Sequence, residues 1–292
     1  MLFVGVVAVA FSPIFVSLAQ VNGLTATLYR SSVASAALFV PFLLQRENHL
    51  GIDANRASRW KLVAICGLGG LLFALNNALF NTAVTMMSPS RTVFLANTSV
   101  LWVGLLSMVI LREKLSLLFW GGLILALAGV FLITAANDTT NNASPLGNLV
   151  ALSGGFFYAL WLMFNSTARR FMNALAYMVF SNLASSLMLL PAIWIAGAPF
   201  YGFSLSTYLY LVGLGVVSHA IGFWAIIHAQ AYLPASTVST ILLMQPPLVL
   251  LLSMLLLHER PLGLQLAGMA VLLCGIILAN QRKAGVQATP TA

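Results

Sequence analysis

The stretch LREKLSLLFWGGLILALAGVFLI, Leu111 to Ile133, returns late in the chain as LHERPLGLQLAGMAVLLCGIILA, Leu257 to Ala279. Sliding the first along by 146 positions superposes Glu113 on Glu259, Gly122 on Gly268 and Gly129 on Gly275, and sets Lys114 on Arg260. The same phrase is thus spoken twice: a short charged turn, then an apolar helix with glycines seven residues apart. A period this long marks a duplicated half rather than a short solenoid repeat.

Composition fixes the solvent in which this duplication works. Hydrophobic residues make up 61% of the 292 positions and charged residues 6%, and mean hydropathy is +0.99. A soluble domain carries about 25% charged residues, so this chain is built for lipid. A spanning helix needs roughly 20 mostly apolar residues. With Gly, Pro, Asn and charged residues as punctuation, ten such spans emerge, near 2–20, 27–45, 60–82, 90–111, 115–135, 147–167, 173–197, 207–230, 235–257 and 262–280. The first resembles a signal peptide, with a small-x-small Ser17-Leu18-Ala19, but lacks a basic leader, and the duplication needs it retained. The net charge of +8 comes without a basic, aromatic-interleaved patch, so it orients the chain in a bilayer rather than binding nucleic acid. Cys66 and Cys274 lie inside apolar stretches and read as packing residues.

Basic residues set the orientation. With the N-terminus inside, the inner loops and tail hold Arg46, Arg56, Arg59, Lys61, Arg112, Lys114, Arg169, Arg170, Arg282 and Lys283, leaving only Arg30, Arg91 and Arg260 outside. The outer segments NDTTNNASPLG and AGAPFYGFSLST contain no Lys or Arg. Both termini are therefore expected in the cytoplasm. Five spans per copy is an odd number, so the second copy enters the membrane upside down. The expected fold is an all-α membrane protein of two inverted five-helix repeats, 1–136 and 147–282, with 283–292 as a cytoplasmic tail. This is the architecture of alternating-access carriers.

The apolar-x-Glu-basic turn followed by a Gly-punctuated helix, present twice, resembles the repeat of the EamA group of the drug/metabolite transporter superfamily. The opening FSPIFVSLAQVNGLTATLYRSS, Phe11 to Ser32, is similar to that group's first two helices, with Arg30 at its usual arginine. The resemblance implies export of amino acids and other small metabolites from bacteria, hence an inner (plasma) membrane location.

All five carboxylates, Glu47, Asp53, Glu113, Asp138 and Glu259, fall in loops or at helix ends, leaving histidine as the deep titratable type, at His219 and His228. Proton coupling, if present, is expected to run through these two. Glu113 and Glu259 each precede a helix and are expected to cap it. Polar side chains avoid lipid, so polar faces should point inward. Asn77 and Asn81 share a face above Phe73. Phe157, Trp161 and Asn165 follow Ser153 as a ladder with Tyr158 beside it. His219 pairs with Phe223, and Thr237, Ile241 and Gln245 align, while Asn97 and Trp102 add a further face. The expected substrate-binding set is Asn77, Asn81, Asn97, Trp102, Phe157, Tyr158, Trp161, His219, Phe223 and Gln245. The alternative for each polar member is a bond between helices. Aromatic and amide walls suit an amphipathic small molecule. Trp60, Trp194 and Tyr208 read as interface anchors.

Pro13 and Pro246-Pro247 interrupt their helices, whereas the repeat equivalents near Ala159 and at Val100-Leu101 are not proline. Helices 1 and 9 are thereby expected to act as gates or hinges. Arg30 and Arg91, near the outer ends of their helices, either snorkel to headgroups or hold a substrate carboxylate at a gate. No catalytic residue, metal or cofactor is expected, because a Ser/His/Asp set, paired acids or a metal cluster would have to form with no deep carboxylate and only two deep histidines. The expected partners are a small-molecule substrate and the bilayer, without nucleic acid, in a monomer or weak homodimer. A channel or scaffold is the competing class, with a membrane enzyme behind it.

Overall fold

In the computed structural model the described residues are 1–44, 58–86, 89–135, 145–256 and 262–281. Among them, ten helices are long and apolar enough to cross a membrane: α1 Leu2–Ala19, α2 Gly23–Leu44, α3 Arg59–Ala83, α4 Thr92–Ile110, α5 Leu117–Ala135, α6 Pro145–Ala168, α7 Ala174–Ala196, α8 Leu205–Ala229, α9 Ala235–Leu256 and α10 Gly263–Asn280. Large apolar side chains such as Val40, Val63, Ile124, Ile195 and Leu209 stay exposed on the perimeter, as a lipid-facing surface requires.

The expected spans hold with one consequential shift. α2 begins at Gly23, four residues before the expected 27. Asn22, read from sequence as punctuation, is its cap: the Leu24 amide donates to Asn22 Oδ1 at 2.8 Å and the Ala26 amide to Asn22 O at 2.9 Å. Starting the helix one turn earlier moves Arg30 about 6 Å deeper along the axis, to about 10 Å from the helix start, away from the end where sequence had placed it.

Helix packing follows one rule. α3 lies against α6 and α7, and α8 lies against α1 and α2, while α2 packs on α7, α4 on α9 and α5 on α10. Exchanging each helix for the one five places on leaves that pattern unchanged. The α5–α10 seam shows the rule in atoms. A Cβ added at Gly122 would meet Gly275 O at 2.7 Å, and one at Gly275 would meet Gly122 O at 2.7 Å. Gly129 and Gly268 face each other's carbonyls in the same way, at 2.6 and 2.8 Å. Gly122 also abuts Ala279 and Gly268 abuts Ile133, while Gly275 abuts Ala126 and Gly129 abuts Leu272. Every contact has its counterpart 146 residues on with partners exchanged, and one residue number falls as the other rises. The two helices are antiparallel about a local two-fold axis. With no hydrophobic drive between helices in lipid, this backbone approach supplies the packing energy. Gly69 and Gly215, also 146 apart, seat the Tyr177 hydroxyl of α7 and the Val33 side chain of α2 respectively.

Three helices are broken. Pro13 lacks the N–H that would bond Val9 O, and α1 kinks at Phe11, whose amide bonds Ala8 O at 3.3 Å. α9 tightens at Leu243 and Met244, with amides on Thr240 O and Ile241 O at 3.2 and 3.0 Å, just before Pro246-Pro247. α4 breaks at Thr98, the position 146 residues before Met244, although Val100 and Leu101 follow it. There the Thr98 amide bonds Leu95 O at 3.2 Å and its hydroxyl binds the same carbonyl. The expectation that helix 9 differs from its repeat counterpart is corrected: the break belongs to both copies, made by prolines in one and by a back-bonding threonine in the other.

Candidate functional site

At mid-depth, α8 runs as a π-helix from Leu214 to Phe223. Such segments are rare, and frequently occur at functional sites. Inside it, His219 is buried and held at both ring nitrogens. Arg30 Nε donates to its Nδ1 at 3.0 Å, and its Nε2 lies 2.8 Å from Asn182 Oδ1. An arginine N–H can only donate, so Nδ1 accepts and carries no proton. The ring is thereby the neutral Nε2–H tautomer, donating to Asn182.

Rings close around this trio. The Phe73 centroid lies 5.0 Å from that of His219 and 5.4 Å from Trp161, and Phe223 lies 5.0 Å from His219 and 5.3 Å from Trp161. The Arg30 guanidinium carbon sits 5.1 Å from the Phe223 centroid and 5.9 Å from that of Phe73, within cation–π range. Tyr158 lies beside Trp161, with ring centroids 5.6 Å apart and the planes tilted by 32°. Arg30 and Phe73 come from α2 and α3, and Tyr158, Trp161, Asn182, His219 and Phe223 come from α6, α7 and α8. Phe73 and His219 are themselves 146 residues apart, so the site is built where equivalent positions of the two copies meet.

The structure thus gathers Tyr158, Trp161, His219 and Phe223 of the expected set, and places the others elsewhere. Asn77 turns back on its own helix, Nδ2 to Phe73 O at 2.9 Å, and Asn97 does the same to Val93 O at 2.8 Å. Asn81 packs against Gly23 near the start of α2. Trp102 meets Phe156 edge-on at 5.4 Å, and Phe157 also contacts Phe156, at 6.0 Å. Gln245 and Pro246 are half-buried after the α9 break. His228 lies between Trp224 and Tyr232, at 5.6 and 5.5 Å, rather than in the cluster. Asn165 accepts from the Tyr177 hydroxyl as an interhelical tie. Trp60 and Trp194 are exposed at span ends as expected of anchors, whereas Tyr208 is tied in by the Gly202 amide at 3.2 Å.

Two expectations change outright. Arg30 does not snorkel at an outer helix end; it is a deep ionised group beside His219, so histidine is not the deep titratable type by itself. Glu113 does not cap the helix that follows it. Ser116 Oγ takes the Phe119 amide of α5 at 3.1 Å, while the Glu113 carboxylate accepts from the Ala235 amide at 3.2 Å and from the Ser236 hydroxyl, at the start of α9. The turn that swings it there has Arg112 in left-handed backbone, φ +55°. Glu259 lies outside the described residues, and the side chain of Arg91 is likewise not described. Asn182 had no signal in sequence: a lone amide in an apolar helix looks like any other interhelical tie.

A profile of the EamA-like transporter family matches residues 1–135 and again 145–281. The chain belongs to that family. It is a multi-pass membrane protein of a transporter family. It is 28% identical over 217 residues to the "Uncharacterized transporter YdfC" of Bacillus subtilis (strain 168), covering 73% of this chain and 69% of that protein. It is 27% identical over 284 residues to the "Probable terminal-alkyne amino-acid exporter" of Streptantibioticus cattleyicolor, covering 95% and 91%. One crystal structure superposes with a TM-score of 0.81 at 18% identity over 96% of this chain and 94% of its own, which shows the shared fold.

Proposed function

We propose that this EamA-family protein is a secondary carrier that exports small amphipathic metabolites, amino acids or related solutes, across the bacterial inner membrane by alternating access. The observation that carries the reading is the mid-depth cluster, where Arg30 and Phe73 of the first half meet Tyr158, Trp161, Asn182, His219 and Phe223 of the second. A site shared between halves changes its exposure when they rock, without either half unfolding. The exchange symmetry of the helix packing supports treating 1–136 and 147–282 as inverted repeats. The paired breaks at Thr98 and Met244 provide matching hinges in α4 and α9. The exporter relative, 27% identical, supports amino-acid-like solutes. The protein acts as a carrier and not as a catalyst, in a monomer or weak homodimer, with both termini cytoplasmic.

Counterflow in proteoliposomes with a panel of labelled amino acids and small metabolites tests the reading. At least one solute should show saturable exchange that unlabelled solute drives; flux that never saturates would mean a channel, and no flux would leave a scaffold. Reporter fusions after Gly51 and Arg170 should score cytoplasmic and those after Asn141 and Gly202 external. The reverse pattern in all four would remove the orientation.

A further inference from the structure

Among the described residues the guanidinium of Arg30 has no counterion. Its Nε is engaged by a neutral imidazole and its faces rest on Phe73 and Phe223. The two terminal amino groups, four of the five N–H donors of an arginine, have no hydrogen-bond partner among the described residues. Of the five carboxylates, Glu113 is engaged at the start of α9, and Glu47, Asp53, Asp138 and Glu259 fall between the spans in the sequence. An ionised side chain at mid-depth is costly unless something pairs with it.

What surrounds it narrows the partner. The Asn182 Oδ1 is taken by His219, which leaves its Nδ2 buried with no partner, a second unspent donor at the same trio. Asn182 is 5% exposed. The Tyr158 hydroxyl, on the ring beside Trp161, can donate as well. His219 has neither nitrogen free. Around the cation, therefore, stand donors to spare and ring walls from Phe73, Trp161 and Phe223. That inventory is complementary to a planar anion on an apolar body, which would take a two-point bond from the fork of an arginine.

We infer that Arg30 holds the carboxylate of the transported solute, with Asn182 as a further donor and the three aromatic rings covering the apolar part. The substrate class is carboxylic acids with an aliphatic or aromatic body, amino acids included. His219 is a positioning residue: by occupying Nε it leaves both terminal amino groups for the anion. This assignment rests on the carrier reading above, but it can fail separately.

The test compares 3-phenylpropanoate with 3-phenylpropanamide, which share a body and differ in charge, on the purified full-length protein. The acid should raise the unfolding temperature at concentrations at least tenfold below those the amide needs. Arg30→Gln should remove that preference and Arg30→Lys should keep part of it. Without ligand, Arg30→Gln should be as stable as wild type or more so, since a half-buried charge with no counterion among the described residues is being removed. Equal action of acid and amide on the wild type, a preference that survives Arg30→Gln, or collapse of the Arg30→Gln protein would each overturn the inference. Counterflow separates the two readings. Binding of the acid without exchange of any labelled solute defeats the carrier and leaves the anion site, whereas exchange indifferent to the carboxylate does the reverse.

Discussion

The α5–α10 seam and the Arg30 cluster lie in one molecule and obey opposite rules. In the seam, glycines let two backbones touch, each contact is repeated by the local two-fold, and no side chain does chemistry. In the cluster, equivalent positions have diverged: Phe73 faces His219 across the 146-residue spacing, and Arg30 and Asn182 bring donors from α2 and α7. Symmetry is kept where shape alone holds the fold and is lost where Arg30, Asn182 and His219 meet.

The largest expected effect is in the seam. Gly122→Leu places a side chain into the backbone of α10, where no rotamer can yield, while Gly121→Leu, with nothing within 4 Å of its added Cβ, is the control. Overpacking costs about 1–3 kcal/mol and more where backbone blocks relaxation. The Gly122 variant should lose monodisperse protein on gel filtration, and the Gly121 variant should not. Equal behaviour of the two would mean that the seam is looser than its contacts imply.

A smaller effect is expected in the cluster. His219→Phe removes the acceptor of Arg30 Nε and should cost about 1–3 kcal/mol of stability, the range for a buried donor left without its partner. His219→Gln keeps an acceptor and should recover most of the melting temperature and of the exchange rate. Failure of glutamine to outperform phenylalanine would show that ring packing, rather than the bond to Arg30, is what His219 contributes.

The smallest effect tests a tie that belongs to neither region. Glu113→Ala removes the cap of α9 and should cost about 0.5–2 kcal/mol. A double-mutant cycle should show coupling between Glu113 and Ser236 and additivity between Glu113 and Ser116. The opposite result would return Glu113 to the helix that follows it.

Much of this was legible without coordinates. Hydropathy gave the ten spans, because lipid forbids unsatisfied backbone and leaves the chain few options. The glycine spacing in Leu111–Ile133 and Leu257–Ala279 pointed to close packing, and the aromatic and polar ladders of the sixth and eighth spans found Tyr158, Trp161, His219 and Phe223. Misreadings came where a local signal had two uses. Asn22-Gly23 reads as a break and is a helix start, which misplaced Arg30 by a turn. Asn77 and Asn97 read as inward donors and instead bond their own carbonyls, since an amide four residues on from a helical carbonyl satisfies itself as cheaply as it lines a cavity.

By itself the sequence determined that this protein crosses a membrane and that its two halves say the same thing. These follow from composition, charge placement and period, which are properties of the chain read along its length. Only the tertiary structure decided which polar groups meet. Arg30, Asn182 and His219 are separated by 152 and 37 positions and share no periodicity. Whether a buried donor is spent or free depends on the neighbour that packing brings to it, and at Asn182 packing brings one to Oδ1 and none to Nδ2.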